Sequence, residues 1–145
     1  MTVIDMKIYP EVLIRDLLGP VRGNLSPFVY AVYITADLLF QQRIKLEHIH
    51  FTRDVYSAVA NLLEKNAKST ARQIERVANR CQDQLRKESR IEEYLGKDCK
   101  DLGSPSMMIV YMAIYAYTGK PYYTALAEHQ NLIRKAPDTG MLLLS

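Results

Sequence analysis

The chain has 145 residues, which suits a single domain with one hydrophobic core rather than several domains. A hydrophobic content of 48% with 24% charged residues is typical of a globular protein and excludes a disordered chain. The formal net charge is only +3, so any binding of an anionic partner must come from local clusters of basic residues.

The sequence predicts a cytoplasmic protein that does not enter a membrane. The N-terminal stretch "MTVIDMKIYPEVLIRD" mixes charges with apolar residues, so we expect no signal peptide. The longest apolar run, "MMIVYMAIYAY", has 11 residues. A membrane-spanning helix needs roughly 18. Two cysteines, Cys81 and Cys99, do not make a disulfide framework, and Cys81 is expected to be a small buried hydrophobe.

Helix start and stop signals divide the first half of the chain. Pro10 opens a helix that ends at Gly19-Pro20, because proline suits a first helical position and glycine a helix end. Ser26 is predicted to cap a largely apolar, central helix over residues 27–43. Thr52 is predicted to cap the next helix, with Phe51 packed against Tyr56 as a hydrophobic staple.

The second half continues the helical pattern. A polar link, "AKST" at residues 67–70, leads into a basic helix. Ser89 and Glu92 fit a capping box for a brief helix that stops at Gly96. Ser104 starts the last long helix, which ends at Gly119, and a C-terminal tail over about residues 128–145 follows. We predict a single all-α domain over 1–145, with about six helices.

The basic helix "STARQIERVANRCQDQLRK" has two different sides. At about 100° per residue, an apolar stripe that can dock on a core is formed by Ile74, Ala78, Cys81 and Leu85. The opposite side consists of Ser69, Arg72, Arg76, Asn79, Arg80 and Asp83, with Gln73 at its edge.

The charge of this segment is unusual for a helix face that is only solvated. Residues 64–90 contain eight basic and four acidic residues, a net charge of +4. Arg72, Arg76 and Arg80 are four residues apart, where like charges repel by a few tenths of a kcal/mol per pair. Such an arrangement favours an acidic partner over water.

Two consecutive helices, the second basic on its outer face, are typical of a helix-turn-helix. We place this unit at about 53–88, with residues 70–88 as the recognition helix in the major groove of double-stranded DNA. Arginine can bind guanine in a bidentate manner, asparagine or glutamine can bind adenine, and lysine adds affinity for phosphates. The candidate DNA-binding residues are Lys65, Lys68, Ser69, Arg72, Gln73, Glu75, Arg76, Asn79 and Arg80.

The segment "RDVYSAVANLLEKNAKSTARQIERVANRCQDQL" resembles the C-terminal DNA-binding (effector) domain of the sporulation initiation response regulator family of endospore-forming bacteria. The family's recognition helix reads roughly T-A-x-x-hydrophobic-E-R, which here is Thr70, Ala71, Ile74, Glu75 and Arg76. The resemblance continues upstream in "LLGPVRGNLSPFVYAVYITADLL" and downstream in "YLGKDCKDLGSPSMMIVYMAIYAY", and covers about residues 10–118.

This resemblance implies a six-helix relative of the winged-helix regulators, without the strand wing, that binds duplex DNA as a homodimer or in tandem copies. The chain departs from the family in a turn that reads about one helical turn longer. It also has Gln73 and Asn79 where basic residues are expected, with arginines at 72 and 80 instead. The family's phosphoacceptor receiver domain has no counterpart in the ten or so residues before the match. We therefore expect an excised domain or a stand-alone regulator.

Other patterns favour less specific interpretations. His48 and His50 beside Glu47 lack a third convergent ligand, so we expect no metal site there and no cofactor. Tyr111 and Tyr115 share a helix side with methionines, which favours core packing over stacking on bases. No nucleophile–base pair or phosphate-binding loop is present, so no enzyme is expected. The alternative function is a helical protein-interaction module that has lost DNA binding, which the apolar tail "GMLLLS" permits.

Overall fold

The structure, a computed structural model, describes residues 5–20 and 23–130. Seven α-helices make up most of this part of the chain. They are α1 (Pro10–Leu18), α2 (Ser26–Ala36), α3 (Ser57–Leu63), α4 (Ala67–Lys87), α5 (Ile91–Leu95), α6 (Pro105–Thr118) and α7 (Tyr122–Glu128). No β-strand occurs in the described ranges, so the predicted all-α class is confirmed. The seventh helix, α7, lies mostly before the predicted tail, and that tail is outside the described residues from residue 131 onward.

Two π-helices lie between α2 and α3. The predicted helix over residues 27–43 is α-helical only to Ala36 and then continues as a π-helix, Asp37–Gln41. Its wider turn is closed by the Gln42 N–H, which donates to the Asp37 carbonyl five residues earlier (2.9 Å). A short 3₁₀ turn, Leu46–His48, and a second π-helix, Phe51–Tyr56, lead into α3.

Several helix ends lie where proline and glycine predict them. Pro10 is the first residue of α1, and Gly19 ends the helix at a φ of 69°. Ser104 precedes Pro105 at the start of α6, and Gly119 ends that helix at a φ of 73°. Positive φ is easily adopted by glycine because it has no Cβ.

Two predicted caps were wrong by one or two positions. Ser26 is the first residue of α2 instead of its cap, and its N–H donates to Asn24 Oδ1 (3.0 Å). Thr52 lies inside the π-helix rather than before it. The residue before this helix is His50, whose N–H donates to the Asp54 carboxylate (2.9 Å).

The staple predicted beside this cap is present, since the rings of Phe51 and Tyr56 lie 6.4 Å apart between centroids. The capping box of Ser89 and Glu92 is not formed. Ser89 has a φ of 54° and closes the end of α4, where the Arg90 N–H donates to the Leu85 carbonyl (2.9 Å). Its side chain caps no helix, because Arg90 is the residue that precedes α5.

The hydrophobic core is built around α6. Its residues Met108–Ile114 are buried on every side, and α6 packs against α2 and α4. Each of the seven α-helices contributes buried side chains to one continuous hydrophobic cluster. The segment before α1 is also fixed to this core, because the Ile8 N–H donates to the Ala116 carbonyl (2.9 Å). None of the described helices combines the length and apolar character that a membrane span requires.

Candidate nucleic-acid interface

A three-residue turn joins α3 to α4. Glu64 adopts a left-handed conformation, and the Lys65 N–H donates to the Ala60 carbonyl (2.9 Å), which ends α3. Asn66 then caps α4, because its side-chain oxygen accepts a hydrogen bond from the Ser69 N–H (3.1 Å).

This cap corrects the predicted limits of the recognition helix. The α-helix begins at Ala67 and not at residue 70, so the predicted polar link "AKST" is its first turn. Residues 64–66 alone therefore separate α3 from α4. The predicted helix-turn-helix segment, 53–88, contains most of the π-helix Phe51–Tyr56, then α3, the turn and α4.

The inner side of α4 is completely buried, as its apolar stripe predicts. Ile74, Ala78, Cys81 and Leu85 each have 0% exposure. Burial raises the pKa of the Cys81 thiol to about 12, consistent with a cysteine that serves as a small hydrophobe. Gln82 is also buried and donates from Nε2 to the carbonyls of Gly103 (3.3 Å) and Ser104 (3.2 Å). The inner face thus fixes α4 to the core and to the start of α6.

The outer side of α4 carries cations that the fold does not use. Seven of the nine predicted DNA-binding residues are exposed: Lys65, Lys68, Ser69, Arg72, Arg76, Asn79 and Arg80. Within the described ranges, the five cations of this set form no ion pair and no side-chain hydrogen bond. We call these five residues, Lys65, Lys68, Arg72, Arg76 and Arg80, the free-cation row.

Basic residues closer to the end of α4 are used differently. Arg86 pairs with Asp83 at 3.5 Å between Nη1 and Oδ1. Arg90 binds Glu93 (2.8 Å), Glu88 (3.4 Å) and, by a very short contact, Asp16 of α1. The hydrogen bonds to Glu93 and Asp16 raise the pKa of the Arg90 guanidinium further above its usual range. These contacts hold α1 and α5 against the end of α4, so Arg90 has a structural role.

The two remaining predicted DNA-binding residues are half-buried and bound to other elements. Gln73 Nε2 donates to the Asn24 carbonyl, just before α2 (3.1 Å). The Glu75 carboxylate accepts a hydrogen bond from the hydroxyl of Tyr56 (3.2 Å), a residue at the end of the second π-helix. Burial, and then the nearby Glu75 charge, raise the pKa of Tyr56. The structure therefore places Gln73 and Glu75 beside the free-cation row but with their polar ends occupied.

Sequence reasoning did not identify Asn24, Tyr56 or Asn66 as parts of this region. Asn66 carries a local signal, since asparagine is a preferred N-cap. The contacts of Asn24 and Tyr56 join residues 49 and 19 positions apart, and no local pattern marks them.

The other candidate groups do not form a second site in the part of the chain that is described. His48 and His50 are both exposed, and no cluster of three potential metal ligands occurs among the described residues. Tyr111 is buried in the core and donates its hydroxyl hydrogen to the Leu102 carbonyl (2.9 Å), as expected for packing rather than stacking on bases.

The free-cation row is therefore exposed, and its charged groups are not used by any hydrogen bond or ion pair of the described fold. Guanidinium and ammonium groups favour phosphate and the acceptor edges of guanine. Comparisons with protein-family models, with curated proteins and with solved structures find no match to the chain.

Proposed function

We propose that this chain binds duplex DNA as a sequence-specific transcription regulator, with the outer face of α4 in the major groove. The observation that carries the proposal is the free-cation row. Repulsion between like charges at i,i+4 spacing slightly destabilises a helix, and no described acidic side chain forms an ion pair with these cations. An anionic partner provides the missing counter-charge.

The dimensions of α4 fit this role. Arg72 and Arg80 are eight residues apart, which is about 12 Å along a helix axis. The major groove is about 12 Å wide and accepts one α-helix, whose diameter with side chains is about 10–12 Å, so this axial length can follow the groove. In the proposed complex, Arg72, Arg76 and Arg80 contact bases and nearby phosphates, while Lys65 and Lys68 at the start of the helix contact the backbone.

Gln73 and Glu75 receive a modified role. Gln73 and Asn79 were predicted to assist base readout, but only Asn79 is exposed with its amide available. We propose that Glu75, held by Tyr56, orients the π-helix and α3 against α4 and keeps its own carboxylate away from the phosphates. The resemblance to the sporulation regulator effector domain supports the same function, and suggests binding as a homodimer or in tandem on DNA in the bacterial cytoplasm.

The proposal is tested by selecting bound sequences from a pool of random duplexes with the wild-type chain, Arg76→Ala and the control Lys120→Ala. Lys120 is a cation at the junction of α6 and α7 that pairs with Glu128 (2.7 Å). We expect one enriched motif for the wild type and the control, and loss of preference at one position for Arg76→Ala. The lost contact should cost about 1–3 kcal/mol.

Failure of the wild type to enrich any motif, even at low salt, would contradict DNA recognition and favour a protein-interaction module. One observation supports that second candidate. Tyr9 and Val12 are 65% and 55% exposed at the start of α1, where they form a small apolar surface. The apolar tail that also suggested a protein partner lies outside the described residues.

A further inference from the structure

A cleft of about 800 Å³ lies between α1 and α2, on residues that the proposed DNA interface does not use. Leu25 and Val29 at the start of α2 give the cleft an accessible apolar lining, and the fully buried Ile14 of α1 lies beneath it. Ser26 and the rings of Tyr30 and Tyr33 complete the α2 wall. The volume falls within the range of about 300–1,000 Å³ that is usual for small-molecule sites.

Two charged side chains of α1, Glu11 and Arg15, also line the cleft, and they differ in their partners. Glu11 accepts a hydrogen bond from the Tyr33 hydroxyl (3.1 Å). Burial, and then the Glu11 charge, raise the pKa of Tyr33 to about 12, so this phenol remains a donor at neutral pH. Arg15 makes no side-chain hydrogen bond or ion pair with any described residue. Its guanidinium is therefore a charged group of the cleft that is available to a ligand.

We propose that this cleft binds a small organic acid, in which a carboxylate meets Arg15 and an aliphatic or aromatic body lies against Leu25 and Val29. Arginine suits a carboxylate because its planar donors can form two parallel hydrogen bonds. The apolar walls favour a ligand with a hydrophobic body over a free inorganic anion.

The cleft is also connected to α4. Asn24 adjoins Leu25 of the cleft and accepts, through its carbonyl, the hydrogen bond from Gln73. Its side chain accepts a second hydrogen bond from the N–H of Ser26, another cleft residue (3.0 Å). A ligand that displaces Leu25 or Ser26 therefore changes the environment of Gln73. The site thus regulates α4, and this consequence alone rests on the proposed DNA-binding function.

The binding step is tested without DNA, by titrating the ¹⁵N-labelled chain with octanoate and with octan-1-ol, its uncharged analogue, in NMR spectra. We expect octanoate to shift the backbone amides of Ile14, Leu25 and Val29 and the side-chain amide of Gln73. Arg15→Gln should weaken octanoate binding about tenfold, the effect of losing one charged hydrogen bond, and leave octan-1-ol binding unchanged. Arg72→Gln, which removes an equal charge from α4, should change neither.

Equal octanoate affinities for the wild type and Arg15→Gln, or the absence of shifts at the cleft residues, would overturn the site. Val29→Trp gives a second test, since a larger side chain fills the cleft and should abolish the binding of both probes. Because Val29 is half-buried, the folding of the Val29→Trp variant is checked by circular dichroism. If that variant does not fold, Ser26→Trp is used instead, since Ser26 is exposed at the start of α2.

The regulatory step is tested by measuring DNA affinity with and without octanoate for the wild type and Gln73→Ala. We expect octanoate to change the affinity of the wild type and to have no effect on Gln73→Ala. If octanoate binds but the DNA affinity is unchanged, the proposed coupling between the cleft and α4 is refuted, while the ligand site in the cleft is retained. A chain that binds octanoate but no DNA would refute the proposed function instead.

Discussion

Replacing Lys65 and Lys68 together by glutamine should reduce the salt dependence of DNA binding. Both side chains are exposed and form no ion pair in the described fold, so their removal breaks no contact. If each member of the free-cation row neutralises one phosphate, the logarithm of the association constant falls with the logarithm of salt with a slope of about −4.5. This slope is an upper limit, because an arginine bound to a base neutralises less phosphate charge.

The double variant loses two of the five contacts, so its slope should be about −2.7. Between 50 and 200 mM salt, the affinity should then fall about 500-fold for the wild type and about 40-fold for the variant. Fluorescence anisotropy with a labelled duplex at several salt concentrations measures both slopes. Lys120→Gln, which removes one cation elsewhere, serves as the control and should keep the wild-type slope. Equal slopes for the wild type and the double variant, or a control that changes as much, would refute the assignment of these lysines to phosphates.

Three further predictions concern the fold that presents α4. Asn66→Ala should lower the free energy of unfolding by about 1 kcal/mol, because it removes the N-cap of α4; an unchanged urea midpoint would show that the cap is not needed. Ile74→Ala should lower it by about 2–5 kcal/mol through a cavity under the buried stripe, and a loss below that range in urea unfolding would contradict the complete burial of this side chain. The pKa of Tyr33 is raised from 10.0 to about 12 in the folded chain, so the unfolded chain loses this proton at lower pH than the folded chain does. The contribution of Tyr33 to the free energy of unfolding is therefore complete below pH 10 and is lost as the pH rises from 10 to about 12. Tyr33→Phe should make that alkaline decline shallower in urea unfolding, and an identical decline would contradict the effect.

Local chemistry explains which parts of the fold the sequence predicts. Pro10, Gly19 and Gly119 act through their own backbone preferences, so the helix ends at these positions could be predicted locally. The start of α4 was harder to predict, because Asn66, Ser69 and Thr70 are all good caps. The choice depends on the left-handed turn at Glu64, which places Asn66 at the first position where a helix can begin.

In the candidate site, too, the sequence predicts the features that depend on local properties and not those that depend on long-range packing. The exposure of the arginines on α4 follows from helical periodicity and the strength of the buried stripe, and both are local properties. The hydrogen-bond partners of Gln73 and Glu75 depend on how segments distant in sequence pack together. Gln73 meets a carbonyl 49 residues earlier, and Glu75 meets a tyrosine 19 residues earlier, so a helical projection cannot separate them from available base readers.

The two sides of α4 also have a consequence for how this protein can evolve. Exposed positions without partners usually tolerate substitution within about 0.5 kcal/mol, whereas buried positions do not. Arg72, Arg76 and Arg80 make no side-chain hydrogen bond or ion pair in the described fold, while Ile74, Ala78 and Cys81 are enclosed by it. Substitutions on the outer side of α4 should therefore change what this surface can bind while shifting the free energy of unfolding by no more than about 0.5 kcal/mol.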